Sequence, residues 1–516
     1  KREKVVTGSS RTEIESEAIR NFCTANVGEE ISVLRKMALP DFIAGQQITP
    51  EIIKNPASIL PMFTDFSDYI YSENFPGINR IMTGMRANNQ VDIQWELYKV
   101  GETGEHKAIR TLSSQSLRDV LKGTGKSCDL DAIYKLKAAY LRKQINIKVN
   151  QDSFAVFMNK FRSRNSFSRI TFECLAEEFE REFNFDLVEA TRELYDQHGL
   201  AALRVQDIEQ YTGKGNEGPM LAFSVWNSSD VNGIISAYTD KGDGSRDLLN
   251  VGDFMIRAGE CSRICFPLPH SVGGVILQTN LAQNIPGNYI YNFMEFPQEV
   301  LVHAGRKKLE PFCFLPPSGE IVVDNEDQGF HVFASETKES LLGKLLQNKM
   351  IVEDSGVDFL TDNAPGWVSS VYIDAYGFPV RSFLGKKTKN SQARAEWKTE
   401  IPEQGEYGVS IYKLDLDFRY QRQADSVAYY YTLEQGDYRA DIVMSFLRNG
   451  LQNIYLSDNL GRKEEYSYQQ QMPQCGWIQV GVLPLVKGKV KLILHDKGAF
   501  PEQLVFADAV KWVKKS

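Results

Sequence analysis

Histidine and cysteine are scarce in this chain: 6 and 7 among 516 residues. The closest two histidines, His303 and His331, lie 28 positions apart. A helical zinc-peptidase motif needs two histidines one turn apart and a glutamate as general base. Neither His-Glu-x-x-His nor its inverted form occurs, so no such site is expected. The cysteines are too sparse for a disulfide scaffold, and their odd number leaves at least one thiol unpaired. Cys261 and Cys265 form the one close pair, with no second pair to complete a zinc site. No run approaches the ~18 apolar residues that cross a bilayer. Lys1 is not followed by an apolar stretch, so no signal peptide is expected and the chain reads as part of something longer.

An excess of positive charge is also missing. The net charge is -8 and the pI about 5.6, which leaves no basic stripe to neutralise phosphates and argues against a nucleic-acid partner. The cluster Lys135 to Lys148 reads as a solvated helix face. Gly123-Thr-Gly-Lys-Ser127 ends like a phosphate loop, but Val120 stands where the first glycine belongs, and a polar segment precedes it. It reads as a helix-to-helix turn.

What is present is ordinary globular composition, 42% hydrophobic and 24% charged, in a length that suits about three domains. Up to residue 212 the apolar spacing is helical. Ser10 caps a first segment with Ile14, Ala18, Ile19 and Phe22 on one face, and prolines at 40, 50, 56 and 61 then break regularity. Val91 to Tyr98 alternates like a short strand among helical signals. Helices follow over Asp129 to Ile147, after Asp152, after Thr171 and after Asp186, the last stopping at His198-Gly199. Phe172, Leu175, Ala176, Phe179 and Phe183 make an apolar stripe, and Cys174 reads as a small core residue beside it. From Met220 the period changes to 2, with Asn232-Gly233 as a hairpin signal and strands near 253–258, 262–266 and 273–279. Pro311 to Gly319 reads as a linker.

The C-terminal third carries four ordered stretches. They are Glu320-Ile-Val-Val-Asp-Asn-Glu-Asp-Gln-Gly-Phe330, Ala395-Glu-Trp-Lys-Thr-Glu-Ile-Pro-Glu-Gln-Gly-Glu-Tyr-Gly-Val409, Gly476-Trp-Ile-Gln-Val-Gly481 and Phe506-Ala-Asp-Ala-Val-Lys-Trp512. In this order they resemble the golvesin or xanthan-lyase type carbohydrate-binding-like domain, which implies an all-β, jelly-roll-like sandwich over 318–516. A second resemblance covers roughly 130–290. Ile170-Thr-Phe-Glu-Cys-Leu-Ala-Glu-Glu-Phe-Glu180, Phe185-Asp-Leu-Val188, His198-Gly-Leu200, Val225-Trp-Asn227 and Asn284-Ile-Pro286 are similar to the end of gluzincin (aminopeptidase N type) ectodomains of bacterial ABC-transporter permeases. The zinc motif of that family is missing, so none of its metal residues is carried over.

The fold expected is therefore multidomain α+β: a helical, peptidase-like domain over 1–212, a small β-sandwich over 213–312 and a C-terminal β-sandwich over 318–516. No catalytic constellation stands out and no cofactor is expected. Two function classes follow. The first is a non-catalytic, extracytoplasmic portion of a larger bacterial membrane-associated protein, periplasmic or at the cell surface, binding a glycan or a protein partner. The second is the C-terminal half of a zinc metallopeptidase whose active-site domain lies upstream. Sugar recognition needs exposed aromatic faces, and the candidates are Trp367, Tyr376, Tyr429, Tyr431 and Trp477. Trp397 is expected between the sheets, and Asp508 is expected to anchor a loop through backbone hydrogen bonds. Asp324, Glu326 and Asp327 form an oxygen-rich cluster, a calcium candidate set against an ordinary Asx turn.

Overall fold

The computed structural model of the chain describes residues 70–85, 100–123, 130–165, 170–212, 218–240, 248–293, 298–299, 303–317, 319–333, 351–353, 366–388, 393–416, 424–448, 450–468 and 475–515. The expected helix from Ser10, the proline-rich stretch after it, the Val91–Tyr98 segment and most of the Gly123–Ser127 turn lie outside these. Strand is the dominant element of the described residues, arranged in several separate sheets.

The helical region is built on Leu130–Lys148, whose Ile133, Ala138, Leu141 and Ile145 are buried. The pair Phe172–Phe183 and Leu187–Asp196 begins where the sequence indicates. Thr171 Oγ1 accepts from Cys174 N at 3.3 Å, and Asp186 Oδ1 accepts from Glu189 N at 2.8 Å. Phe157 meets Phe179 edge-on, with ring centroids 5.3 Å apart, so the aromatic stripe is core. Pro76-Gly77 turns the chain with Phe75 packed inward, and Gly77 takes φ 78. A Cβ there would lie 2.2 Å from the Tyr134 hydroxyl.

Three local expectations are corrected. Asn150, not Asp152, caps the helix Gln151–Asn165, its Oδ1 accepting from the amides of Asp152 and Ser153. Cys174 is exposed, because Phe172 and Leu175 on either side of it take the inward positions. Lys137 is buried within the supposed solvated face, and burial pushes its ammonium down to about 8.

The middle region is two facing sheets. One joins Gln298–Glu299, Leu203–Thr212, Pro219–Asn227, Cys261–Pro267 and Gly305–Lys308, and the other joins Leu248–Ile256, Gly233–Asp240, Gly274–Gln278 and Asn288–Asn292. Leu221, Phe223, Val225, Ile235, Ala237, Ile264 and Leu277 fill the space between them. The helices end at Asp196, and Leu203–Thr212 is a strand inside the stretch read as helical. Its alternation is interrupted by a register shift between Gln206 and Glu209, where Asp207 has φ 50, and this hid the period. Asn232-Gly233 is not a hairpin turn: the strands flanking it lie in different sheets. Asn227 holds that crossover, its Nδ2 donating to Val231 O at 2.7 Å and Arg257 O at 3.0 Å. The expected linker contains a 3-10 turn, Pro311–Phe314, whose Phe314 is buried beside Trp226.

The C-terminal region encloses one large core. A seven-stranded sheet runs in the order Phe330–Phe333, Arg394–Ile401, Gly488–His495, Ser426–Gln435, Tyr438–Leu447, Gly450–Asp458 and Lys463–Ser467. A four-stranded sheet joins Glu320–Val323, Val510–Lys514, Gly405–Lys413 and Gly476–Leu485. A third brings Ile351–Glu353, Trp367–Val371, Ser382–Lys387 and Leu504–Ala507 together. Trp367, Trp397, Trp512, Tyr407 and Tyr429 are among its largest buried side chains.

Candidate functional site

The strands Gly405–Lys413 and Gly476–Leu485 pair antiparallel and put Tyr412 directly opposite Trp477. Alternation turns Ile411 and Ile478 into the core, so Tyr412 and Trp477 share the outer face of the four-stranded sheet. Their ring centroids are 5.2 Å apart. Tyr376, from the loop joining Val371 to Ser382, completes the group at 5.4 Å from Tyr412 and 5.0 Å from Trp477. All three rings are only partly buried. The two contacts of Trp477 are edge-to-face and the Tyr376–Tyr412 pair is tilted; aromatic pairs add about 0.5–1.5 kcal/mol each beyond the area they bury, so the cluster holds its own shape. Lys511 lies 4.9 Å from the Trp477 ring and pairs with Glu320 at 3.4 Å.

The loop beneath Tyr376 is fastened at several points. Asp508 Oδ2 accepts from Tyr376 N at 3.1 Å, the anchoring role its sequence context indicates. Cys475 Sγ lies 3.5 Å from Asp374 O and 4.0 Å from the Tyr412 hydroxyl. Gly377 takes φ 127, and a Cβ on it would lie 2.1 Å from Val380 O and 2.8 Å from Asp324 Oδ2. Burial, then the nearby Asp324 charge, pushes the Asp508 carboxyl well above the usual carboxylate range, and its Oδ1 has no hydrogen-bond partner among the described residues. Burial likewise pushes Asp324 up to about 8. It raises Tyr376 and Tyr412 and takes the Cys475 thiol to about 11.

Of the five aromatic candidates, Tyr376 and Trp477 are brought together here and the other three are not. Trp367 is 0% exposed and belongs to the core between the sheets. Tyr429 is 0% and Tyr431 3% exposed, because the strand Ser426–Gln435 turns its odd-numbered side chains inward. The Lys413 ammonium sits 4.8 Å from the Tyr429 ring and 5.1 Å from Phe446, occupying the face a sugar would need. Trp367, Tyr429 and Tyr431 are therefore withdrawn as ligand-binding residues. Trp397 is 1% exposed, as its position indicates, and its Nε1 donates to Asp508 O at 2.8 Å. Tyr412 was missed, although its place next to the inward Ile411 is the alternation signal that marks an outward ring.

The calcium candidate is also corrected. Asp327 Oδ2 accepts from Asp324 N at 2.8 Å, and Asp327 N donates to Asp324 O at 3.0 Å, which closes a turn. Glu326 points away, accepting from Ser382 Oγ at 2.6 Å and facing Arg110 at 3.4 Å. Among the described residues no three His, Cys, Asp or Glu side chains gather as a metal site.

No family model matches the chain, and no curated protein matches it. Solved structures give distant likenesses. A Bacteroides uniformis β-glucuronidase aligns with TM-score 0.18 and 10% identity over 63% of this chain and 31% of its own. A calcium-binding mutant of Bacteroides uniformis β-glucuronidase 2 aligns with TM-score 0.17 and 9% identity, with the same coverage of 63% and 31%. A β-fructofuranosidase from Schwanniomyces occidentalis aligns with TM-score 0.12 and 10% identity over 60% of this chain and 70% of its own. The chain thus spans under a third of the glucuronidases' length, and scores this low carry no argument about activity.

Proposed function

We propose that the C-terminal sandwich is a golvesin-like carbohydrate-binding module, in a chain that forms the non-catalytic, extracytoplasmic portion of a larger bacterial membrane-associated protein. The observation that supports this is the cluster of Tyr376, Tyr412 and Trp477, three rings left partly open on an outer sheet face. Aromatic faces stack on the apolar C–H face of a pyranose at little entropic cost. The partly buried Lys511–Glu320 pair beside Trp477 supplies a fixed donor and acceptor for hydroxyl groups. The order of sequence motifs over 318–516 points the same way.

A glycan array probed with the intact chain, followed by titration of whichever polysaccharide binds, tests the reading. Trp477→Ala and Tyr376→Ala are expected to weaken binding at least tenfold while the chain stays folded. The reading is wrong if no glycan gives a signal, or if both variants bind like the wild type.

A further inference from the structure

The loop that presents Tyr376 does not rest on its own module alone. Arg381, at its far end, donates from Nη1 to Ile373 O at 2.8 Å, which closes the loop on itself. The other terminal nitrogen, Nη2, crosses to the middle module and donates to Pro286 O at 2.8 Å and Asn288 O at 2.6 Å. The guanidinium lies over the Tyr289 ring at 4.6 Å. The backbone is joined at the same place: Arg381 N donates to Ile285 O at 2.7 Å, and Ile285 N donates to Pro379 O at 3.1 Å. Next along the loop, Phe378 lies 4.4 Å under the guanidinium of Arg204, another residue of the middle module. The middle module is itself stiffened here. Asn284, just before Ile285, accepts from Leu203 N at 3.0 Å and donates to Leu203 O at 2.8 Å, copying a strand partner.

We propose that Arg381 is the positioning residue of the aromatic cluster, tying the Tyr372–Arg381 loop to the Ile285–Tyr289 segment so that the middle module is a working part of the binding site. Only a planar fork with donors on both arms reaches Ile373, Pro286 and Asn288 together; a lysine ammonium on a single stem cannot. This inference rests on the carbohydrate-binding reading for its functional consequence, which is that Arg381 governs affinity without touching the sugar.

Cys475 gives a readout that needs no ligand. Its thiol is held up to about 11 first by burial and next by Asp374, which belongs to the loop. If the loop lifts, the thiol returns toward about 8.5 and its thiolate fraction at pH 8 rises on the order of a hundredfold. The experiment is iodoacetamide labelling at pH 8 of the full chain, resolved by mass spectrometry at Cys475 and at the buried Cys261 as an internal standard. Wild type is compared with Arg381→Gln and the milder Arg381→Lys. Labelling of Cys475 is expected to speed up at least tenfold in R381Q and less in R381K, with Cys261 unchanged. In the same samples the glycan Kd rises while the maximal signal holds. Cys475 rates within twofold of wild type in both variants, or a parallel rise at Cys261, would overturn the inference. If the wild type binds no glycan, the carbohydrate reading fails by itself and the thiol rates still decide the role of Arg381.

Discussion

Asp508 and Tyr376 are 132 positions apart in the chain, yet the carboxylate of one accepts the backbone amide of the other at 3.1 Å. That single bond links the last turn of the C-terminal sandwich to the loop that carries an outward ring. It also creates an electrostatic problem, because the acid is buried, has a second oxygen without a donor among the described residues and lies near another buried acid.

Asp508→Asn keeps an acceptor for Tyr376 N and removes the ionisable group. Above pH 4 the unfolded chain holds Asp508 ionised, while the folded chain must protonate it or bear the buried charge. The variant is therefore expected to be more stable than wild type at pH 8, with the difference shrinking as pH falls toward 4. Asp508→Ala, which loses the acceptor, should gain less. Urea unfolding at pH 4, 6 and 8 checks this; an N variant less stable than wild type at pH 8 contradicts it.

Asp324 sets a second pH dependence. Its carboxyl is raised from 3.8 to about 8 in the folded chain, first by burial. A raised folded value means that the native state binds the proton more tightly, so its contribution to stability is complete below about pH 4 and is lost as pH climbs to about 8. Asp324→Asn should flatten the stability profile across that window relative to wild type. The check is the urea midpoint measured between pH 4 and 9, and a slope unchanged by the substitution would refute it.

The sequence made the local signals readable and hid the partnerships. Thr171 and Asp186 were legible as caps because the cap bond is made to a residue three positions on. In the segment Tyr429-Tyr430-Tyr431 the alternation was legible but not its sense. Which side faces the core depends on pairing with Gly488–His495 and Tyr438–Leu447, and strand register is not a local property. The same limit hid Tyr412, whose partner Trp477 arrives through a ladder with a distant strand. The spacing at Asp324–Asp327 left a cation site open beside an ordinary turn because it shows oxygens but not their directions: oxygens of Asp324 and Asp327 accept backbone amides, and Glu326 accepts from Ser382 Oγ.

The two kinds of tryptophan should separate cleanly in stability. Trp367 is wholly enclosed, and Trp367→Ala leaves a cavity expected to cost about 3–5 kcal/mol. Trp477 stands on the outer face against two tyrosines and a lysine, and Trp477→Ala should cost about 1–2 kcal/mol, mostly through its ring contacts. Thermal or urea unfolding of both variants distinguishes them. Equal losses would mean that Trp477 is core, and the open-face assignment would fall with it.

Asn227 offers the last test, of the crossover that replaced the expected hairpin. Its side-chain amide donates to Val231 O and Arg257 O, and its Oδ1 accepts from Ser229 N at 3.2 Å and Ser229 Oγ at 2.8 Å. The residue is fully buried, and its amide also reaches the buried Ile256 O at 3.4 Å, so Asn227→Ala removes the partner of that carbonyl along with those of the part-buried Val231 and Arg257 carbonyls. Leaving buried polar groups unpaired costs about 1–3 kcal/mol for each, and a loss of at least about 2 kcal/mol is expected. Asn227→Asp keeps the acceptor but not the donor, and at pH 7 it sets a charge against two carbonyl oxygens. It should be at least as damaging as the alanine. Both are read by unfolding midpoints, with hydrogen exchange of the Gly233–Asp240 strand as a local probe. An alanine variant as stable as wild type would show that the crossover is held by packing of Gly233 against Ala201 and Leu203, where an added Cβ would meet atoms at 2.6 and 3.0 Å, and not by the asparagine.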